Sequence, residues 1–296
     1  MNPLDVACFP DELGPAERLA TALGGALAPI SPHRFPDGET MPRVRAPAAE
    51  TTVLYRSLDR PNEKLIELLL AVDALRRAGA RRLVLVAPYL CYLRQDAVFA
   101  PGEPLSRDVI APLIGARFDA VITVQAHLHR TADLAAALGA PACNLSGVEP
   151  LATALPAYPA PPLVLAPDAE SAPWAEAWAR RLGGDSICLK KVRRGDDDVA
   201  IEAPGLGFAG RPVVIIDDVA STGATLERAV ALARSGAAAS VDVAVVHALM
   251  DSRATERIRA AGARRIVSTD AVAHPTNAVA LAPSLAAAVR KTIGAP

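Results

Sequence analysis

The chain has 296 residues, 51% of them hydrophobic and 21% charged, and a formal net charge of −1 from 31 basic and 32 acidic side chains. Such a balance suits a well-packed globular protein of one large domain or two smaller ones. It supplies no broad basic field for nucleic acid.

The N-terminal segment has no basic stretch leading into an apolar core, and no apolar run reaches the roughly 18 residues that cross a bilayer. A cytoplasmic protein is expected, with neither nucleic acid nor membrane as partner. Cys8, Cys91, Cys143 and Cys188 are scattered and form no CxxC pair. They are expected to be small buried hydrophobes in a reducing compartment, not zinc ligands or disulfides.

Taken in chain order, short β-rich apolar runs alternate with amphipathic helical stretches. Residues 61–80 predict a helix: Pro61 suits its first turn, Leu65, Leu68, Leu69, Val72 and Leu75 recur at helical spacing, and Gly79 stops it. Strands are predicted at 81–90 and 118–127, with a helix at 104–115 between them. The pattern then repeats. Strands are predicted at 162–168, 211–218, 240–250 and 264–273, and helices at 171–183, 222–237, near 252–261 and at 283–293. Alternation of this kind implies mainly parallel sheets flanked by helices. The expected architecture is α/β, in two similar halves covering 1–148 and 149–296. The last helix could pack on either one. Ligands are expected between the halves, beyond the carboxyl ends of strands.

The most informative segment is VVIIDDVASTGATL, residues 213–226. Four apolar residues end in two acids, a short small-residue turn follows, and a helix begins. Asp217 and Asp218 can accept hydrogen bonds from sugar hydroxyls. Gly223 allows close approach of backbone to ligand. Successive N–H groups between Ser221 and Thr225 can cradle an anion, with Ser221, Thr222 and Thr225 adding hydroxyls. The plain alternative, a capped helix after a strand, leaves two adjacent carboxylates at a buried strand end unexplained. A second glycine-rich string, GLGFAG at 205–210, precedes a strand and does not follow one, so it is expected to be a turn. Trp174 and Trp178 are expected to pack in a core or at an interface. The arginines at 76, 77, 81, 82, 264 and 265 are expected to be solvated, as are the acids at 196–198.

IDDVASTGAT resembles the motif that binds phosphoribosyl diphosphate (PRPP) in type I phosphoribosyltransferases and ribose-phosphate diphosphokinases. Further segments, in family order, resemble the diphosphokinases: FPDGE (35–39), PYLCYLRQD (88–96), EPLS (103–106), ITVQAHLH (122–129), LAPD (165–168) and KKVRR (190–194). The resemblance implies two phosphoribosyltransferase-like halves, an ATP side first and a ribose 5-phosphate side second. It implies transfer of diphosphate from ATP to ribose 5-phosphate, with Mg²⁺ as cofactor, in a homo-oligomer. Phe35, Asp37 and Glu39 fall on an adenine-holding loop often completed across a subunit boundary. Arg94 and Gln95 fall on ATP contacts. His127 falls on a histidine serving ATP and metal, and Asp168 on a metal-associated acid. Lys191 and Arg193 fall on the catalytic Lys-x-Arg pair of a flexible loop. Asp217, Asp218, Ser221, Thr222, Gly223 and Thr225 fall on the ribose 5-phosphate loop.

Three features depart from the family pattern. Gln125 stands where an Asp is usual, the residues after Asp168 include Glu170 and no glycine pair, and 191–199 is one residue longer. Two alternatives follow. A phosphoribosyltransferase that consumes PRPP has no use for FPDGE and RQD. A non-catalytic regulatory paralogue is favoured if Gln125 abolishes metal binding, whereas Lys191, Arg193 and the Asp217–Asp218 pair argue against it.

Overall fold

A computed structural model describes residues 4–98, 100–128, 133–168, 171–193, 199–202 and 207–294. The chain divides into two compact units, Met1–Ser146 with Leu281–Pro296, and Gly147–Ala280.

The first unit runs β1 (Leu4–Cys8), α1 (Leu13–Leu23), β2 (Ala26–Pro29), β3 (Ser31–Arg34), β4 (Thr40–Arg43), β5 (Thr51–Tyr55), α2 (Pro61–Arg77), β6 (Arg82–Val86), α3 (Ser106–Gly115), β7 (Ala120–Val124), α4 (Leu134–Leu138) and β8 (Ala142–Leu145). Six of these strands form a sheet in the order β2-β1-β5-β6-β7-β8, and every neighbouring pair is parallel. The sheet is covered on both faces, so the strands are continuous apolar runs: all five residues of β7 are buried. β3 and β4 form a separate antiparallel ribbon.

The second unit runs α5 (Val148–Ala154), β9 (Leu163–Ala166), α6 (Ala172–Leu182), β10 (Asp185–Cys188), β11 (Lys190–Arg193), β12 (Val199–Glu202), β13 (Pro212–Ala220), α7 (Ala224–Ser235), β14 (Ser240–Ala248), α8 (Ser252–Ala260), β15 (Arg265–Thr269) and β16 (Asn277–Val279). Its sheet has the order β10-β9-β13-β14-β15-β16, again parallel throughout, and β11–β12 is its separate antiparallel ribbon. Each strand of the second unit therefore occupies the place of the strand eight numbers earlier, ribbons included. The expected α/β architecture of two similar halves is the one found.

The last helix, α9 (Ala282–Ile293), belongs to the first unit. Arg82 donates to the carbonyls of Ile293 (3.0 Å) and Thr292 (2.6 Å) and so closes its C-terminus. Arg290, on the same helix, donates to the Ala22 carbonyl at the end of α1.

The arginines expected in solvent do reach it, but three of them, Arg76, Arg82 and Arg264, also tie elements together. Arg76 ties the end of α2 to Asp119 at 2.9 Å. Arg264 pairs with Asp242, which is wholly buried, and lies over the ring of Tyr158, whose hydroxyl donates to the same carboxylate at 2.8 Å. Burying that carboxylate requires such partners. Trp178 is in the core as expected. Leu69, placed in the apolar stripe of α2, is only half-buried, whereas Glu67 on the same helix is buried.

Candidate functional site

In the second unit, β13 is longer than the sequence suggested. Its ladder with β14 continues through Val219 and Ala220, which pair with His247 and Ala248. Asp217 and Asp218 therefore sit within the last strand residues, not beyond them. β9 lies on the other side of β13 and ends at Ala166, which brings Asp168 to the same sheet end.

The three carboxylates feel one another. Asp217 is pushed well above the usual carboxylate range, first by burial and then by the negative charges of Asp218 and Asp168. Asp218 accepts from the backbone N–H of Val219 at 2.8 Å. Asp168 accepts from both the N–H and the hydroxyl of Ser171, at 3.0 and 2.9 Å.

After β13 the chain turns through Ser221, Thr222 and Gly223 into α7. Gly223 has φ +74°, a conformation that favours glycine. It is also crowded: a Cβ there would lie 3.1 Å from both Ala254 and Ile258 of α8. The first intrahelical bond runs from Glu227 N–H to the Gly223 carbonyl at 2.9 Å. The preceding amides lie at the N-terminal end of α7, where no carbonyl one turn back can accept from them. Thr222 is exposed and Ser221 and Thr225 are half-exposed. Paired acids, a crowded glycine and hydroxyls around a helix N-terminus suit an anionic sugar: carboxylates for its hydroxyls, amides for its anion.

One brace holds this turn and another holds the neighbouring loops, and neither was visible in the sequence. Arg257 of α8 donates to the Thr222 carbonyl at 3.1 Å and to Glu227 at 3.0 Å. His274, in the loop after β15, bonds the Met250 carbonyl through Nε2 at 3.0 Å. A carbonyl only accepts, so Nε2 carries the proton, and Nδ1 accepts from the Thr276 N–H at 3.2 Å. The ring is neutral, and burial pulls its pKa below the ordinary histidine value. Helical spacing reveals that 252–261 is a helix, but not that it packs across the turn.

The corresponding turn of the first unit follows β5, and a side chain of the protein fills it. Glu12 accepts from the N–H of Ser57 at 2.6 Å and from Arg56 at 3.2 Å. Arg56, only 3% exposed as a side chain, also binds Asp11 and Glu67. Burial raises Glu12 to about 7 in spite of Arg56 and Lys64. A cavity of about 470 Å³ opens beside this network.

The residues expected to bind ATP fall in two places in the first unit. Arg94 and Gln95 follow β6, and His127 follows the neighbouring parallel strand β7, so both loops leave the same sheet end. The two are tied by the Val124 N–H, which donates to the Pro88 carbonyl at 3.2 Å. Gln95 accepts from the Ser106 hydroxyl at the start of α3. His127 is half-buried, and Gln125 before it adopts φ 45°, with its N–H on the Leu145 carbonyl at 2.7 Å. Phe35, Asp37 and Glu39 lie elsewhere, on the exposed tip of the β3–β4 ribbon. There Phe35 and Glu39 close the hairpin at 2.8 Å, and Asp37 accepts from the Glu39 N–H at 3.1 Å.

Lys191 and Arg193 were expected on a loop. Their backbone is strand β11, paired with Ile201 and Val199 of β12, because 190–193 and 199–202 are close enough in sequence to form a hairpin. Their side chains, and His129, Glu170 and Asp196–Asp198, lie outside the described residues.

Comparison with known proteins agrees with this geometry. The N-terminal domain of ribose phosphate pyrophosphokinase matches residues 11–117, and a phosphoribosyl transferase domain matches residues 158–280. The ribose-phosphate pyrophosphokinase of Methanopyrus kandleri is 36% identical over 280 residues, covering 94% of this chain and 95% of its own. That of Halobacterium salinarum is 34% identical over 278 residues, covering 93% and 96%. The crystal structure of phosphoribosylpyrophosphate synthetase from Mycobacterium smegmatis matches 99% of both chains with a TM-score of 0.85 at 25% identity. Two units with matching strand orders and similarity running through nearly the whole length make this chain a member of the ribose-phosphate pyrophosphokinase family.

Proposed function

We propose that the chain carries out its family's reaction, transferring the β,γ-diphosphoryl group of ATP to the 1-hydroxyl of ribose 5-phosphate to give PRPP and AMP. The observation that carries this is the turn from Asp217 to Thr225. Its amides and hydroxyls would take the 5-phosphate, and its carboxylates the ribose hydroxyls. On the ATP side, Arg94, Gln95 and His127 would bind the nucleotide. The oxygen of the 1-hydroxyl attacks the β-phosphorus, the bond to the α,β-bridging oxygen breaks, and AMP leaves. Such a step is accelerated by positioning and positive charge. We assign that charge to Lys191 and Arg193.

Mg²⁺ would supply further charge on the phosphate oxygens. Asp168 suits it: it is a hard oxygen ligand, and a cation there would relieve the repulsion among Asp168, Asp217 and Asp218. Among the described residues no three His, Cys, Asp or Glu side chains could hold an ion by themselves. The protein share would be small, with Asp168 and His127 as proposed ligands and the remainder from phosphates and water.

We also infer a homo-oligomer. Phe35 and Met41 on the β3–β4 ribbon are 40% and 42% exposed, and Ile66 and Leu70 on α2, against which β4 packs, are 53% and 42% exposed. A second subunit could cover this apolar surface and receive the adenine-loop residues Phe35, Asp37 and Glu39. Light scattering is expected to give a dimer or larger species, and a fully active monomer would rule out a shared site. No helix among the described residues is long and apolar enough to cross a membrane. We place the reaction in the cytoplasm, where ATP is at hand.

The test is AMP release from ATP in the presence of Mg²⁺. Release should require ribose 5-phosphate and be matched by PRPP formation. ATP turnover indifferent to the sugar phosphate, or consumption of PRPP with a base or amine, would overturn the assignment.

A further inference from the structure

We propose that Arg257 is a positioning residue for the sugar-phosphate turn, setting the direction in which its Gly223 amide points. This rests on the assignment of the 221–225 turn as the ribose 5-phosphate site. The guanidinium donates through Nη2 to the Thr222 carbonyl at 3.1 Å and through Nε to Glu227 at 3.0 Å. One end of the contact is thus on the turn and the other on the first turn of α7.

The consequence follows from peptide planarity. In a trans peptide the carbonyl and the next N–H point in opposite directions. With the Thr222 carbonyl held toward α8, the Gly223 N–H is turned away from α8. If that peptide rotated, a carbonyl oxygen would replace the N–H on the side where the anion sits, and a donor would become a repelling acceptor.

Glycine makes the rotation easy. Gly223 has φ +74° and no side chain to resist it. The absent Cβ also leaves room for Ala254 and Ile258 of α8, which would stand 3.1 Å from it. Close packing of α8 is what brings Arg257, on the same helix, within reach of the carbonyl. The turn therefore uses glycine for approach and an arginine from the neighbouring helix for direction.

Arg257→Met keeps most of the apolar stem and removes the donors. By calorimetry on the full-length protein, its affinity for ribose 5-phosphate should fall about tenfold, the scale of one charge-assisted hydrogen bond. ATP affinity and Tm should stay near wild type. Arg257→Lys, which retains a donor on a flexible stem, should recover most of the loss. Unchanged sugar-phosphate affinity in Arg257→Met overturns the proposal. So does parallel weakening of both ligands with a fall in Tm, which marks a merely structural role, and so does failure of Arg257→Lys to recover affinity. If the wild-type protein itself does not bind ribose 5-phosphate, the site assignment falls and the role of Arg257 with it.

Discussion

Asp217 illustrates how a residue can be placed against its own stability. It is half-buried and shares a sheet end with Asp218 and Asp168, and its proton is held well above the usual carboxylate range. A raised carboxylate pKa means that the folded state binds the proton more tightly than the unfolded state does. Ionising it at neutral pH therefore costs stability. Asp217→Asn keeps the shape and removes the charge, so thermal melting should show a higher Tm while ribose 5-phosphate affinity falls. A lower Tm would show that the carboxylate is compensated in the free protein. Thr222 makes the complementary case. It is exposed, and its hydroxyl makes only a long 3.4 Å contact with the Ala224 N–H. Thr222→Val should leave Tm unchanged and weaken ribose 5-phosphate about ten- to a hundredfold, because a charge-assisted hydrogen bond is worth roughly 1.5–3 kcal/mol. ATP affinity, read by calorimetry, should not move; a selective loss of ATP would make the turn a nucleotide site.

At the scale of elements, the loops after the strands carry the site, and His274 shows how one is held. Its neutral ring ties the loop after β15 to the Met250 carbonyl after β14. Met250 in turn stands 3.8 Å from where a Gly223 Cβ would be. Because the folded pKa is depressed, the unfolded chain takes the proton more readily. The ring's contribution is complete above the ordinary histidine value, about pH 6.5, and is lost as pH falls through the folded value. Protonation would set an Nδ1–H against the Thr276 N–H and oblige the Thr276 hydroxyl, 2.7 Å from Nδ1, to accept from it. Melting curves should show Tm falling below about pH 6.5, and His274→Gln should flatten that part of the profile. An identical profile in the variant would remove His274 as its source. The sequence could not reveal this clamp, since it joins residues 24 apart through a backbone carbonyl. Strand ends were similarly opaque. The apolar run 81–90 contains both the ladder, Arg82–Val86, and the start of the Arg94–Gln95 loop, and hydrophobicity does not mark where pairing stops. The helices α2, α6 and α9 were legible, because proline starts, glycine stops and 3.6-residue spacing all coincide there, and α7 because its helical spacing is bounded by Gly223 and Gly236.

At the scale of the whole molecule, the sequence displayed the repeated strand–helix grammar, and the structure gives it the same strand order twice. The two units differ at equivalent turns. After β13 the turn presents amides and hydroxyls, whereas after β5 Glu12 is bound to the Ser57 amide and Arg56. This difference supports the proposed placing of the sugar phosphate in the second unit. The placement of α9 was undecidable from its own residues, because Arg82, which closes it, lies more than 200 positions away. The central claim is that the sugar hydroxyl attacks the β-phosphorus of ATP. Phosphorus NMR of a reaction mixture of the protein, ATP, Mg²⁺ and ribose 5-phosphate reads this directly. Attack at the β-phosphorus gives the paired signals of a diphosphate on the sugar and the single signal of AMP, growing in equal amounts. Signals of ADP and a sugar bisphosphate would place the attack on the γ-phosphorus and contradict it.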